Sequence, residues 1–211
     1  MFGMRISLLA SIALLTIAVH AHSQDVVAAP AAHTQPDLPK ISMVDVVVKS
    51  GIYTYTGRGV VLSPTLVATA EHVIEADGTY HLPLVRFSDK REAKATAIVK
   101  RWPERDLAII KLSVPDGIPA TPLVGADEPD SVWSFDFQGR KREYRNLRIQ
   151  NKGSLYFDYT PRMGESGGPV FTPDGALVGI VSGGFFWLED RPQHTWPLRV
   201  GRADVLREFL K

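Results

Sequence analysis

From Ile41 onward the apolar positions fall into short β-branched and aromatic runs, broken every few residues by Gly, Pro, Asp or Asn. Residues 43–48, 58–62, 66–70, 82–87, 95–100 and 107–112 form one set of runs, and 131–137, 144–150, 154–159, 169–172, 176–182 and 194–199 form a second. Runs of this length, without the roughly 10- to 15-residue helical periods that mark βαβ units, predict an all-β sandwich or barrel protein. Helix is expected mainly at the end of the chain. There, residues 203–210 (ADVLREFL) place Val205, Leu206, Phe209 and Leu210 on one face with the charged residues opposite, a face suited to lie against the strands. A shorter turn is expected at 71–75. The Pro- and Gly-rich stretch 115–129 (PDGIPATPLVGADEP) separates the two sets of strands, so it predicts a linker between two small barrels, 40–122 and 123–211.

The first 39 residues follow another pattern. Arg5 precedes an uninterrupted run of 14 apolar or small residues, 6–19 (ISLLASIALLTIAV), and Val19-His20-Ala21 then offers small residues at both positions of a cleavage site. This predicts a signal peptide over 1–21, removed after Ala21, and an exported protein, periplasmic or secreted, with no stable membrane insertion after cleavage. The alternative is an uncleaved anchor, for which the run falls short of the roughly 20 residues of a spanning helix. Residues 22–39 (HSQDVVAAPAAHTQPDLP) are rich in Ala and Pro without a sustained period and are expected to be a flexible tether.

Composition narrows the class further. Of 211 residues, 45% are hydrophobic and 22% charged, which is the balance of a packed core and excludes a disordered or collagenous chain. There is no Cys, which excludes a disulfide framework and any metal–thiolate site. Removing Arg5 with the leader takes 24 basic residues to 23, against 23 acidic ones, so net charge favours no partner.

Three segments place one polar group each in an apolar setting: His72 in 66–74 (LVATAEHVI), Asp106 in 104–112 (ERDLAIIKL) and Ser166 in 163–170 (MGESGGPV). Taken singly, each has an ordinary reading: a surface or core histidine, an aspartate ending a turn, and a Gly-Gly-Pro turn. Together they supply a nucleophilic hydroxyl, an imidazole to take its proton and a carboxylate to orient that imidazole. Gly164, Gly167 and Gly168 leave the backbone around Ser166 free to turn its N–H groups toward a developing oxyanion.

These segments resemble the chymotrypsin-like (trypsin-fold) serine proteases. The family's T-A-A-H segment is matched by Thr69-Ala70-Glu71-His72, its D-[IL]-A segment by Asp106-Leu107-Ala108, and its G-D-S-G-G-P segment by Gly164-Glu165-Ser166-Gly167-Gly168-Pro169. The likeness extends to residues 57–63 (GRGVVLS) and 175–180 (GALVGI) and covers most of 41–211. The G-x-G form before the histidine and the lack of Cys resemble the bacterial HtrA-like and glutamyl-endopeptidase-like branches. The 211 residues hold no PDZ segment after the terminal helix, so the peptide sensing and cage assembly of full-length HtrA proteins are not expected from the resemblance.

The resemblance implies two six-stranded antiparallel β-barrels with a C-terminal helix, and an exported serine endopeptidase acting on protein or peptide substrates through an acyl-enzyme. His72 would be general base and acid, Asp106 its orienting carboxylate and Ser166 the nucleophile. The backbone N–H groups of Gly164 and Ser166 would form the oxyanion hole. No metal or cofactor is required, and nothing predicts an oligomeric state. Glu165 replaces the Asp that pairs with a new N-terminal amine in zymogen-type members, and no I-V-G-G segment supplies that amine, so activation by that route is not expected.

For the substrate pocket the resemblance points to Thr160, Ser182, Gly183 and Gly184, with His194 at the rim. A non-acidic Thr160 disfavours Arg or Lys as the recognised residue. The aromatic run Phe185, Phe186, Trp187 is read as core in preference to a subsite. The basic cluster Arg140, Lys141, Arg142, Arg145 and Arg148 reads as a solvated hairpin in preference to an anionic-polymer surface, since no stacking aromatics accompany it and no nucleic-acid partner is predicted. The competing function, from another class, is an inactive protease homologue that binds a protein or surface ligand.

Overall fold

A computed structural model describes residues 43–113, 121, 128–148, 153–183 and 198–211. The expected leader and tether, most of the 115–129 linker, Gly184, the aromatic run and His194 lie outside these residues.

Eight strands precede the linker: β1 (Met43–Ser50), β2 (Tyr53–Ser63), β3 (Leu66–Thr69), β4 (Glu75–Ala76), β5 (Thr79–Tyr80), β6 (Leu84–Arg86), β7 (Glu92–Trp102) and β8 (Leu107–Leu112). Six of them close a barrel in the order β1-β2-β3-β8-β7-β6, while β4 and β5 pair only with each other. Six more follow: β9 (Ser131–Phe135), β10 (Lys141–Arg145), β11 (Ser154–Phe157), β12 (Pro169–Phe171), β13 (Leu177–Val181) and β14 (Leu198–Arg202). They form one sheet in the order β10-β9-β12-β13-β14-β11. All paired strands are antiparallel. The sheet's two end strands meet through an isolated bridge, Asn146 to Phe157, flanked by the Leu147 N–H to Tyr156 carbonyl bond of 2.8 Å. The expected all-β fold is therefore present, with the first barrel fully hydrogen-bonded and the second a curled sheet.

Burial of consecutive residues marks many of these strands. β8 is buried at Leu107, Ala108, Ile109 and Ile110, so it reads as a continuous apolar run inside the barrel. A single core joins barrel and sheet: Trp133 and Phe171, with ring centroids 4.5 Å apart, pack in the same cluster as Val46, Val60 and Ile109. A second cluster around Phe157, Val170 and Val200 fills the other side of the sheet.

The terminal helix α1 (Asp204–Phe209) buries Leu206 and sets Phe209 edge-on to Trp102, centroids 6.1 Å apart. Leu210, expected on the same face, is 37% exposed because the helix ends at Phe209.

The strand expected at 144–150 lies earlier, at β10. Its inward side is carried by Tyr144 alone among charged neighbours, so hydrophobic patterning could not find its start. The start is set by Asp136, whose Oδ1 accepts from the N–H groups of Gln138 and Arg140, both at 2.9 Å, and so closes the turn from β9. The Asp136 carboxylate also takes Arg140 Nε at 3.0 Å and Arg142 Nε at 3.1 Å. Lys141 lies over the Trp133 ring at 4.5 Å, and Arg148 pairs with Asp130. Much of the basic cluster is thus neutralised within its own hairpin.

Burial pushes the Asp136 carboxyl up, but the Arg140 N–H and the two guanidinium groups outweigh it and hold the group well below the usual carboxylate range. A depressed folded-state value means stability that is present above about pH 4, the unfolded range, and lost as the pH falls further. The gap in Tm between wild type and Asp136→Asn is therefore expected to narrow from pH 6 to pH 3. A gap that stays constant over that interval would refute the assignment.

Candidate active site

Strand pairing brings His72 and Asp106 together. β3 and β8 are neighbours, with Thr69 opposite Ala108, so the residues just after β3 and just before β8 emerge at the same end of the barrel. His72 lies on a single 3-10 turn, Glu71–Val73, and Asp106 ends another, Pro103–Arg105. Asp106 adopts a left-handed backbone, φ 52° and ψ 51°, which is sparsely populated for a residue with a side chain and is held here by the Glu71 N–H bonded to its carbonyl at 3.2 Å.

The Asp106 carboxylate receives three donors. His72 offers its backbone N–H at 2.9 Å and its Nδ1 at 2.7 Å, and the Ser182 hydroxyl donates at 2.6 Å. A carboxylate only accepts, so the bond at Nδ1 places a proton there and leaves Nε2 of a neutral His72 as an acceptor. Ser182 follows β13 and lines the cleft, yet its hydroxyl serves Asp106, a role that the sequence reading did not assign.

Ser166 reaches the same place through β2. The Arg58 N–H on β2 donates to the Ser166 carbonyl at 2.7 Å, and the Thr69 hydroxyl on neighbouring β3 donates to the Arg58 carbonyl at 2.6 Å. A side chain on Gly183 would sit 3.5 Å from Ser166 Oγ and 3.8 Å from His72 Cε1, so both groups border one small space. His72 is half exposed, and clefts of about 330 Å³ and 500 Å³ both include His72, Ser166 and Gly183. The larger cleft also includes Asp106 and Ser182, and the smaller includes Tyr55, Val73, Met163 and Gly164.

The backbone around Ser166 forms two successive turns that share Glu165. The Glu165 N–H bonds the Arg162 carbonyl at 3.1 Å, and the Gly168 N–H bonds the Glu165 carbonyl at 3.0 Å. Each turn has a glycine at its third position, Gly164 with φ +89° and Gly167 with φ +84°, a conformation that residues with side chains rarely adopt. The N–H groups of Gly164 and Ser166 take part in no hydrogen bond among the described residues and so are available to a ligand.

Two buried carboxylates beside the site were not singled out for chemistry. Glu71, 5% exposed, accepts from Tyr80 OH at 2.8 Å and Arg101 Nη1 at 3.0 Å, which secures the His72 turn to β5 and β7. Its partners stand 9 and 30 residues away, so local sequence carries no signal of them. Glu165, adjacent to Ser166, is 2% exposed and fully engaged, as described below. Of the expected pocket residues, Gly183 faces Ser166 and His72, Thr160 is exposed and borders neither cleft, and Gly184 and His194 lie outside the described residues.

No curated protein sequence matches the chain. A solved structure with a similar fold is the serine endoprotease from Yersinia pestis, with a TM-score of 0.62 at 20% identity. The match covers 81% of this chain and 62% of the Yersinia chain, so this chain spans under two thirds of that protein's length, and at that identity the likeness is one of fold. The family profile described as "Trypsin-like peptidase domain" matches residues 57–180, more than half of the chain and a span containing His72, Asp106 and Ser166. The chain therefore belongs to the trypsin-like peptidase domain family.

Proposed function

We propose that the protein is an exported serine endopeptidase that cleaves peptide bonds through His72, Asp106 and Ser166. The observation that carries this reading is the His72 ring, fixed at Nδ1 by Asp106 at 2.7 Å, bordering with Ser166 Oγ the same space beside Gly183. Ser166 Oγ adds to the substrate carbonyl carbon as its proton passes to His72 Nε2, and Asp106 stabilises the imidazolium. The tetrahedral oxyanion accepts the N–H groups of Gly164 and Ser166, each such donor contributing roughly 3–4 kcal/mol in related chemistry. His72 then gives its proton to the leaving amine, the C–N bond breaks, and water hydrolyses the ester by the reverse path. Unbound catalytic pairs are commonly loose and tighten with substrate.

A fluorophosphonate probe tests the chemistry. Mass-spectrometric labelling at Ser166 that disappears in His72→Ala is the expected result. A folded chain that stays unlabelled would support the binding homologue instead. For export, the amino terminus of the protein recovered from producing cells is expected at His22, and an intact Met1 start would refute cleavage.

A further inference from the structure

Two buried side chains, one acidic and one basic, flank the nucleophile loop without touching each other. Glu165 is 2% exposed and Arg58 7%, and among the described residues neither forms a direct ion pair. Burying an unpaired charge is costly, so something must take the place of water around each. For Arg58 it is the backbone at the end of β9: Nη1 donates to the Phe135 carbonyl at 2.8 Å and Nη2 to the Asp136 carbonyl at 2.9 Å. For Glu165 it is the next N–H of that same segment, from Phe137 at 2.7 Å, together with the Tyr159 hydroxyl at 3.0 and 3.1 Å and the Arg162 N–H at 2.9 Å. The backbone of 135–137 thus lies between cation and anion, with carbonyls turned to one and an N–H to the other.

We propose that Arg58 and Glu165 are a split ion pair, bridged by the backbone of residues 135–137, that positions the N–H groups of Gly164 and Ser166 for catalysis. The inference rests on the reading of Ser166 as the nucleophile. Glu165 contributes the peptide that carries the Ser166 N–H, and it closes the turn containing Gly164 twice, with its own N–H on the Arg162 carbonyl and its carboxylate on the Arg162 N–H. The Arg58 backbone N–H also holds the loop from the opposite side, on the Ser166 carbonyl, a bond that Arg58→Met leaves in place. Each charge orients the bridging backbone for the other, so loss of either one relaxes the same loop. Neither residue meets substrate; both are positioning residues.

The test uses the full chain and the variants Glu165→Gln, Arg58→Met and their combination. Its readouts are kcat and KM on a peptide substrate, labelling rate at Ser166, and affinity for a peptide aldehyde that forms a tetrahedral adduct. Oxyanion donors act mainly on the transition state, so Glu165→Gln is expected to lower kcat about 100-fold with KM within about threefold, and to weaken the aldehyde in parallel. The double variant is expected to lose no more than about threefold beyond the worse single one. Losses that multiply, or Glu165→Gln with kcat within threefold of wild type, would overturn the split pair.

Should Glu165→Gln not fold, Tyr159→Phe removes one donor to the carboxylate and leaves the loop sequence intact. Its kcat is expected to fall between about threefold and tenfold with KM unchanged, and an unchanged kcat would overturn the proposal. Wild type that is never labelled at Ser166 takes down the protease reading and this one with it. Wild type that is labelled, beside a variant labelled at the same rate, takes down the split pair alone.

Discussion

His72→Ala is expected to lower kcat on a peptide substrate on the order of 10⁴- to 10⁶-fold while the chain keeps its fold. Without the imidazole, no group at the site takes the Ser166 proton, and the hydroxyl remains a poor nucleophile at neutral pH. The structural cost is small because His72 is half exposed and alanine retains the backbone N–H that bonds Asp106 at 2.9 Å. Asp106 also keeps the Ser182 hydroxyl at 2.6 Å, so its charge is not left unsatisfied. Steady-state kinetics with circular dichroism as the folding control decides the matter. A folded variant within tenfold of wild-type kcat would mean that His72 is not the base.

Gly167→Ala is expected to be the most damaging small substitution for stability, at about 3 kcal/mol or more. Its φ of +84° already strains any residue with a side chain, and the added methyl would lie 1.9 Å from the Arg58 carbonyl oxygen and 2.5 Å from Thr69 Oγ1. Backbone would have to move, because the obstructing carbonyl belongs to β2 of the closed barrel. Gly164→Ala is the matched comparison. It has a similar φ, +89°, but nothing lies within 4 Å of the new methyl, so only the left-handed strain of roughly 1–2 kcal/mol applies. Urea midpoints of the two variants should differ clearly. Equal losses would show that contact with Arg58 does not hold the nucleophile loop.

Much of the architecture was legible in the chain. The apolar runs at 107–112, 154–159 and 176–182 became β8, β11 and β13 because each is buried along most of its length, and burial of consecutive residues leaves a visible hydrophobic signature. β10 was displaced in the reading because charged residues occupy most of it and a turn carboxylate, not an apolar period, sets where it begins. The pair β4 and β5 was missed because two-residue strands are too short to show any period.

The same contrast holds at the site. His72, Asp106 and Ser166 could be proposed from the sequence because nucleophilic catalysis needs particular residue types, and the glycines beside Ser166 allow the positive φ that its turns require. Ser182 as a partner of Asp106, 76 residues away, was not identifiable, since a hydroxyl beside glycines has no local mark of its target. Nor were the environments of Glu71 and Glu165, two glutamates that sequence alone cannot distinguish from the exposed Glu92.

By itself the sequence determined the class of fold and put forward the chemical groups for the site, because strand periodicity and the reactivity of Ser, His and Asp are properties of short segments. Only the tertiary structure decided which groups share a proton, which carboxylates are removed from water and which backbone dipoles face them. Those relations depend on strand register and barrel closure, which join residues far apart in the chain through many weak contacts at once.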